Sequence, residues 1–403
     1  MIYRALYNFF VLLLTFTIFL GRFFNAKLAK MWQGRRAQKL APRDAREVIL
    51  VHCSSLGEFE QGRVLIETLR AKCPEARLIL TFFSSSGYEM RKNYAGVDEV
   101  YYLPLDRKRA VRKFLDTLCP IKVFIIKYEY WYNFLRELRG RGAEVYIVSA
   151  IFRRDSIFFK RCLGFGGFYR SMLGFFTKIF VQDAASKELL SEIGYSSEVV
   201  GDTRFDRVAE ISHTAKADSL VESFTRGESP VVVCGSTWAA DEALLCEVMK
   251  SRPQWRFVIA PHEINQAHIQ HLEQNCGRVS SRHTSGVLAQ NCSLLIIDRI
   301  GLLSGLYQYG DVAYIGGGFG AGIHNTLEAA AWSKGVIFGT NYKKFREAAK
   351  LIELGAGFSV STLEELLQRL DYAVENPQHI GAIAGSYVKR EAGATSKIIM
   401  SIY

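Results

Sequence analysis

From about residue 45 onward, short β-branched apolar runs alternate with helix-length amphipathic segments, and this alternation narrows the possible folds more than any other feature. A strand apolar on both faces must be covered on both faces. The crossover helices that cover it leave neighbouring strands parallel. The first series of strands reads 48–52, 77–83, 99–103, 122–127, 144–148 and 178–181, with a helix from about 57 to 72. The chain turns polar from 206 to Glu228-Ser229-Pro230. A second series then follows at 231–234, 256–260, 294–297, 312–315 and 335–338, and the sequence from Leu363 onward reads as helix. At 403 residues the chain exceeds one ordinary core. The expectation is two doubly wound α/β domains, 40–205 and 206–385, with a terminal helix over 386–403 that packs back on the first. Ligand sites in such domains lie outside the carboxyl ends of the strands, so motifs are sought at strand-to-helix turns.

Ahead of the first domain lies a different kind of segment. Between Arg4 and Arg22 stand 17 uncharged residues, which as a helix rise about 25 Å against a hydrocarbon core of about 30 Å. Residues 1–25 therefore read as a membrane anchor helix, whether spanning or lying in one leaflet. A cleaved signal peptide and a buried core helix are the alternatives, and Arg22-Phe23-Phe24 makes a poor cleavage site. Arg22, Lys27, Lys30, Arg35 and Arg36 follow the segment, against Arg4 before it. Basic residues stay on the cytoplasmic side, so the expected location is the cytoplasmic face of the inner membrane, with residues 1–36 against phospholipid. Deleting residues 1–24 is expected to weaken membrane association and leave the fold intact.

The net charge of +11 favours anionic partners. Over 152–180, Arg153, Arg154, Lys160, Arg161, Arg170 and Lys178 alternate with phenylalanines. Such a stretch suits a headgroup–acyl boundary, an RNA-binding face or plain core. Beside an apolar anchor the lipid reading is preferred, and no nucleic-acid partner is expected. The 8 cysteines are scattered, without a Cys-x-x-Cys pair, and read as small buried hydrophobes rather than disulfides or metal ligands.

Four turns carry chemistry-bearing residues. The first strand runs into Ser54-Ser55-Leu56-Gly57-Glu58, which places Glu58 in the first helical turn as either a functional carboxylate or a complement to the helix dipole. The strand at 122–127 leads into Tyr128-Glu129-Tyr130-Trp131-Tyr132, a second carboxylate among aromatics that either stack on a sugar or pack a surface. In the second domain Gly235-Ser236-Thr237 suits a phosphate on a helix N-terminus, although neither Gly-x-Gly-x-x-Gly nor a Walker lysine is present. Gly316-Gly317-Gly318-Phe319-Gly320 and Gly322-Ile323-His324-Asn325-Thr326-Leu327-Glu328 form a glycine-rich loop with a helix expected near His324. Its carboxylate suits a ribose, or else a capping network.

Together these segments resemble the Kdo transferases, which move 3-deoxy-D-manno-octulosonic acid (Kdo) onto lipid A precursors. The resemblance covers nearly the whole chain: the basic-flanked anchor, Ser-Leu-Gly-Glu, Glu-x-Trp, Gly201-Asp-Thr-Arg-Phe-Asp206 and His324-Asn-x-Leu-Glu328. It implies a GT-B architecture, two Rossmann-like domains facing across a cleft, with the acceptor in the first and the donor in the second. It further implies inverting transfer from CMP-Kdo to a lipid A precursor such as lipid IVA, with Glu58 as general base. Ser55, Gly57, Glu129 and Arg204 would lie on the acceptor side. Ser236, Thr237, His262, Gly317, His324, Asn325 and Glu328 would lie near CMP. Lys127 stands where the family has the first acid of Glu-x-Glu-x-Trp, and Pro261-His262 where it has Arg-His.

A helix N-terminus is expected to keep Glu58 ionised and only weakly basic. CMP is a good leaving group and no Asp-x-Asp motif is present, so neither metal nor cofactor is expected. A UDP-sugar transferase, a sugar-nucleotide epimerase and a non-enzymatic adaptor are the rival readings.

Overall fold

The computed structural model describes residues 2–160 and 164–403; Arg161 and Cys162 lie outside the described residues. The chain divides into two compact units. One runs through Arg207 and takes back Gly393–Tyr403, and the other is Val208–Ala392.

The first unit holds a parallel sheet of β1 (Val48–Cys53), β2 (Arg77–Phe82), β3 (Glu99–Tyr102), β4 (Lys122–Ile126), β5 (Glu144–Ala150), β6 (Lys178–Val181) and β7 (Glu198–Val199). Their order is β3-β2-β1-β4-β5-β6-β7. The strand order reverses at β1, which lies between β2 and β4. The register pairs Val51 with Phe124 and His52 with Ile125, so the loops after β1 and β4 leave the sheet side by side. Every residue of β1 and β2 is buried, which is what covering on both faces requires.

The second unit repeats the plan. Its strands are β8 (Val231–Thr237), β9 (Arg256–Pro261), β10 (Ser280–Arg282), β11 (Leu294–Ile296), β12 (Val312–Ile315), β13 (Gly335–Phe338) and β14 (Gly357–Ser359), ordered β10-β11-β9-β8-β12-β13-β14. Here β8 lies between β9 and β12, which brings together the loops that follow those three strands.

The last helix, Ala394–Ile402, belongs to the first unit. Asp206 accepts from the amides of Gly393, Ala394 and Thr395, and Ile398 and Ile399 join the core beside β1 and β2.

Helix Ile2–Gly21 is docked along the first unit. Tyr7 donates to Asp106 at 2.6 Å and accepts from the Tyr132 amide at 3.1 Å, while Asn133 donates to Asn8 at 2.9 Å. Val11 is buried, and Ile18 packs with Met31, Tyr102 and Leu105. The opposite face leaves Phe9, Phe10, Leu13, Phe16 and Leu20 exposed. The following helix, Ala26–Ala37, is tied down by Arg35, which donates to the carbonyls of Leu103 and Phe83.

Three sequence expectations need correction. The phenylalanines of 152–180 are mostly core: Phe152, Phe158, Phe168 and Phe176 are buried in the cluster that covers one face of β5 and β6, and Phe180, in β6 itself, is buried on the other face. The helix expected near His324 is short and begins at Leu327, since the glycine loop holds His324 and Asn325 outside it. Cys246 and Cys276 are joined in a disulfide rather than standing as unpaired hydrophobes; they lie on neighbouring helices with Cα atoms 4.5 Å apart.

Candidate functional site

In the first unit the paired loops bring two carboxylates together. Ser55 caps helix Leu56–Lys72, accepting from the Glu58 amide at 3.5 Å, and the Glu58 carboxylate turns back to accept from the Ser54 amide. From the β4 loop, Glu129 accepts from the indole N–H of Trp131, whose ring stacks on Phe83 at 5.1 Å. His52 lies fully buried beneath them. Its Nδ1 is 2.9 Å from Thr81 Oγ1, and its Nε2 is 3.8 Å from Glu129 Oε2, within reach of charge attraction but not of a hydrogen bond.

The electrostatics differ from the sequence expectation for Glu58. Burial and then the charge of Glu129 push its carboxyl above the ordinary range, outweighing the Ser54 amide, His52 and Lys127. Glu58 is therefore a stronger base than a helix-terminal carboxylate would otherwise be. Glu129 goes the other way. Burial opposes its charge, but His52, Ser54 and Trp131 together hold it below its usual value. Of the two neighbouring carboxylates, Glu58 therefore holds a proton more readily than Glu129.

Lys127 occupies the left-handed region at φ 67° at the head of this loop, and its charge acts on Glu58. Among the neighbouring aromatics, Tyr132 is core and packs on Phe168 at 5.0 Å, half-buried Tyr130 packs against the core on Phe158 at 4.9 Å, and Tyr128 is exposed. Arg204 forms an ion pair with Asp202 at 2.8 Å, and Gln61 donates to the other oxygen of that buried carboxylate at 2.8 Å. Gly57 is exposed in the first turn after Ser55.

In the second unit the loops after β8, β9 and β12 meet around Asp241. This buried carboxylate accepts from Tyr314 at 2.8 Å and from the amides of Trp238 and Gly317, each at 2.9 Å. Gly317 adopts φ 89°, and a Cβ on Gly318 would lie 2.5 Å from the Gly339 amide, so the loop is built for glycine at both positions. Trp238, His262 and His324 form a run of stacked rings, at 4.3 Å and 4.7 Å between centroids, and Trp238 donates to His324 at 3.2 Å. Burial, and then the charge of His262, push the His324 imidazole below its ordinary value. Asn325 donates to Glu328 at 3.0 Å and accepts from the Leu327 amide, which caps the short helix.

Thr237 is turned inward. It is fully buried and its hydroxyl is given to Glu242 at 2.8 Å, which also meets His268 at 3.0 Å. Of the two residues expected near a phosphate, only Ser236 remains partly open, at φ 55°. His52, Trp238 and Asp241 were not singled out from sequence. The signal was available for Asp241 alone, as an acid in the first turn after a strand.

A family model described as 3-deoxy-D-manno-octulosonic-acid transferase (kdotransferase) matches residues 30–207, the span that holds His52, Glu58, Glu129 and Arg204. The 3-deoxy-D-manno-octulosonic acid transferase of Rickettsia felis is 26% identical over 341 residues, covering 81% of this chain and 72% of that protein. These matches support a Kdo transferase, a glycosyltransferase. A bifunctional glycosyltransferase/methyltransferase of Fusobacterium nucleatum is 24% identical over 371 residues, 89% of this chain, which spans only 57% of that protein. The solved UDP-GlcNAc 2-epimerase of Neisseria meningitidis aligns with a TM-score of 0.63 at 17% identity, covering 88% of this chain and 98% of the epimerase. That likeness is one of fold alone, two Rossmann-like units. Among the described residues no group of three or more His, Cys, Asp or Glu side chains is placed to hold a metal ion.

Proposed function

We propose that this Kdo transferase moves Kdo from CMP-Kdo to a lipid A precursor at the cytoplasmic face of the inner membrane, with inversion and with Glu58 as general base. The observation that carries the reading is the raised carboxyl of Glu58 beside the lowered carboxyl of Glu129. Glu58 takes the proton of the acceptor hydroxyl as its oxygen attacks the anomeric carbon. The bond from that carbon to the phosphate oxygen breaks on the opposite side, and CMP leaves with the electron pair. CMP carries its own charge, so a leaving-group acid is dispensable. The stacked Trp238, His262 and His324 rings and the Asn325–Glu328 pair support a nucleotide in the second unit.

The membrane reading rests on helix Ile2–Gly21. Length and composition would let it cross a bilayer. Its lateral docking through Tyr7, Asn8, Val11 and Ile18 favours a helix lying in the interface plane, with Phe9, Phe10, Leu13 and Phe16 in the acyl layer.

Purified protein given CMP-Kdo and tetra-acylated lipid A precursor should yield a Kdo-bearing product by mass spectrometry, equally with and without chelator. Glu58→Gln should lower kcat by about 10²–10⁴-fold. Absence of product would overturn the assignment, and near-full turnover of the variant would overturn the base.

A further inference from the structure

Helix Ile2–Gly21 and the aromatic segment of the first unit enclose a cavity of about 480 Å³. Tyr7, Val11 and Leu14 line it from the helix, and Trp131, Phe165 and Phe168 from the body. Small-molecule pockets fall in the range of roughly 300–1,000 Å³.

The polar groups of two lining residues are turned away. The Tyr7 hydroxyl is spent on Asp106, and the Trp131 indole N–H on Glu129. What faces inward is ring and aliphatic surface, which suits hydrocarbon and no polar ligand. Leu14 shares the docked face with Tyr7 and Val11, while Phe10, also on the cavity wall, borders exposed Leu13, so the cavity opens at the edge of the helix's exposed apolar face. Arg4, one turn before Tyr7 on the same helix, lies over the Tyr132 ring at 5.6 Å.

Trp131 is the decisive residue. One side of its indole walls the cavity while its N–H holds Glu129, next to Glu58. A chain in this cavity therefore ends beside the two carboxylates. We propose that the cavity takes one acyl chain of the lipid acceptor and so registers the acceptor hydroxyl against Glu58. This inference rests on the acceptor being a lipid, and its occupant is the acceptor's own chain rather than a bulk phospholipid.

Two experiments test it. First, full-length protein in detergent micelles is irradiated with tetra-acylated lipid A precursor carrying a diazirine on one acyl chain, and the labelled peptides are mapped. The expected label falls on the peptides containing Leu14 and Phe168 and is reduced at least fivefold by Leu14→Trp or Ile157→Trp, two filling substitutions at partly exposed positions. Label confined to other peptides overturns the proposal, as does equal labelling by a diazirine phosphatidylethanolamine. Because it reads contact, this outcome does not depend on transfer. Second, kcat/KM is measured on the tetra-acylated acceptor and on its O-deacylated form. Leu14→Trp should lower the first at least tenfold more than the second; equal losses on both overturn the proposal. If the wild type transfers Kdo to neither acceptor while the cavity is still labelled, the activity reading fails and the lipid site stands.

Discussion

His52 Nε2 stands 3.8 Å from Glu129 Oε2, with the His52 ring held from behind by Thr81 at 2.9 Å. Thr81 is also within 3.4 Å of the Val51 carbonyl, to which it donates. That geometry leaves the Thr81 oxygen to accept from His52 Nδ1, so the other ring nitrogen faces the carboxylate. His52 is thus among the neighbours that hold the Glu129 carboxyl below its usual value. His52→Gln should therefore let the Glu129 carboxyl rise from its depressed position. Titration of the labelled side-chain carboxyl by NMR reads the change directly, and a Glu129 that does not move would assign its depression to Ser54 and Trp131 alone.

The neighbours of Glu58 predict opposite shifts in the pH profile. Glu129 contributes a negative charge that raises Glu58, so Glu129→Gln should move the acid limb of kcat/KM to lower pH. Lys127 contributes a positive charge that lowers Glu58, so Lys127→Ala should move the same limb to higher pH. Both effects are electrostatic and should shrink as salt rises. Limbs that shift in the same direction would show that Glu58 is not the titrating base.

Asp241 organises the glycine loop by accepting from Tyr314 and from the Trp238 and Gly317 amides. Asp241→Ala orphans all three donors in a buried site, and each orphan costs about 1–3 kcal/mol. A loss of at least about 3 kcal/mol in chemical denaturation is expected. A rise in the donor KM at conditions where the variant is still folded should accompany it. Unchanged stability would mean that water replaces the carboxylate.

Much of this was legible in the sequence. Strand and helix alternation showed two doubly wound sheets, because fully buried runs such as Val48–Cys53 announce themselves by composition. The short edge strands β7, β10 and β14 were invisible: residues such as Ser280, Ser281 and Arg282 carry no strand pattern, and neighbours impose their conformation. Of the candidate site, Glu58 and Glu129 were found because turns after strands are where chemistry gathers. Their relative proton affinities were not, since burial and a histidine from the strand itself decide them. In the sequence His52 is the last residue of an ordinary buried run. Thr237 was misplaced for the converse reason: a hydroxyl at a promising turn was already taken by Glu242, five residues on.

Buried Asp106 makes stability depend on pH. Burial raises its carboxyl to about 6, against the partial compensation of Tyr7 and of the Asn133 and Phe134 amides. A raised acid is bound more tightly as the protonated form in the folded state. Its contribution is thus fully present below the ordinary value of 3.8 and is lost as pH rises through about 6. Relative to Asp106→Asn, the wild type should lose roughly 2 kcal/mol between pH 4 and pH 7. Urea midpoints taken across that interval test the sign, and parallel curves would refute it.

The docking of helix Ile2–Gly21 revises what its removal should do. A free tether could be cut without structural consequence, but Tyr7 supplies one of the donors to Asp106, and Tyr3, Tyr7, Val11 and Ile18 cover apolar groups of the body. Tyr7→Phe removes a single hydroxyl and should cost about 1–3 kcal/mol, because Asp106 keeps its other partners. Deleting residues 1–24 uncovers Phe168, Tyr102 and Leu105 as well, so the truncated chain should be less stable than Tyr7→Phe and prone to association in water. The comparison is made in detergent, where loss of membrane contact is common to both proteins. Equal unfolding midpoints for truncated and full-length protein would return the helix to the role of a separable tether.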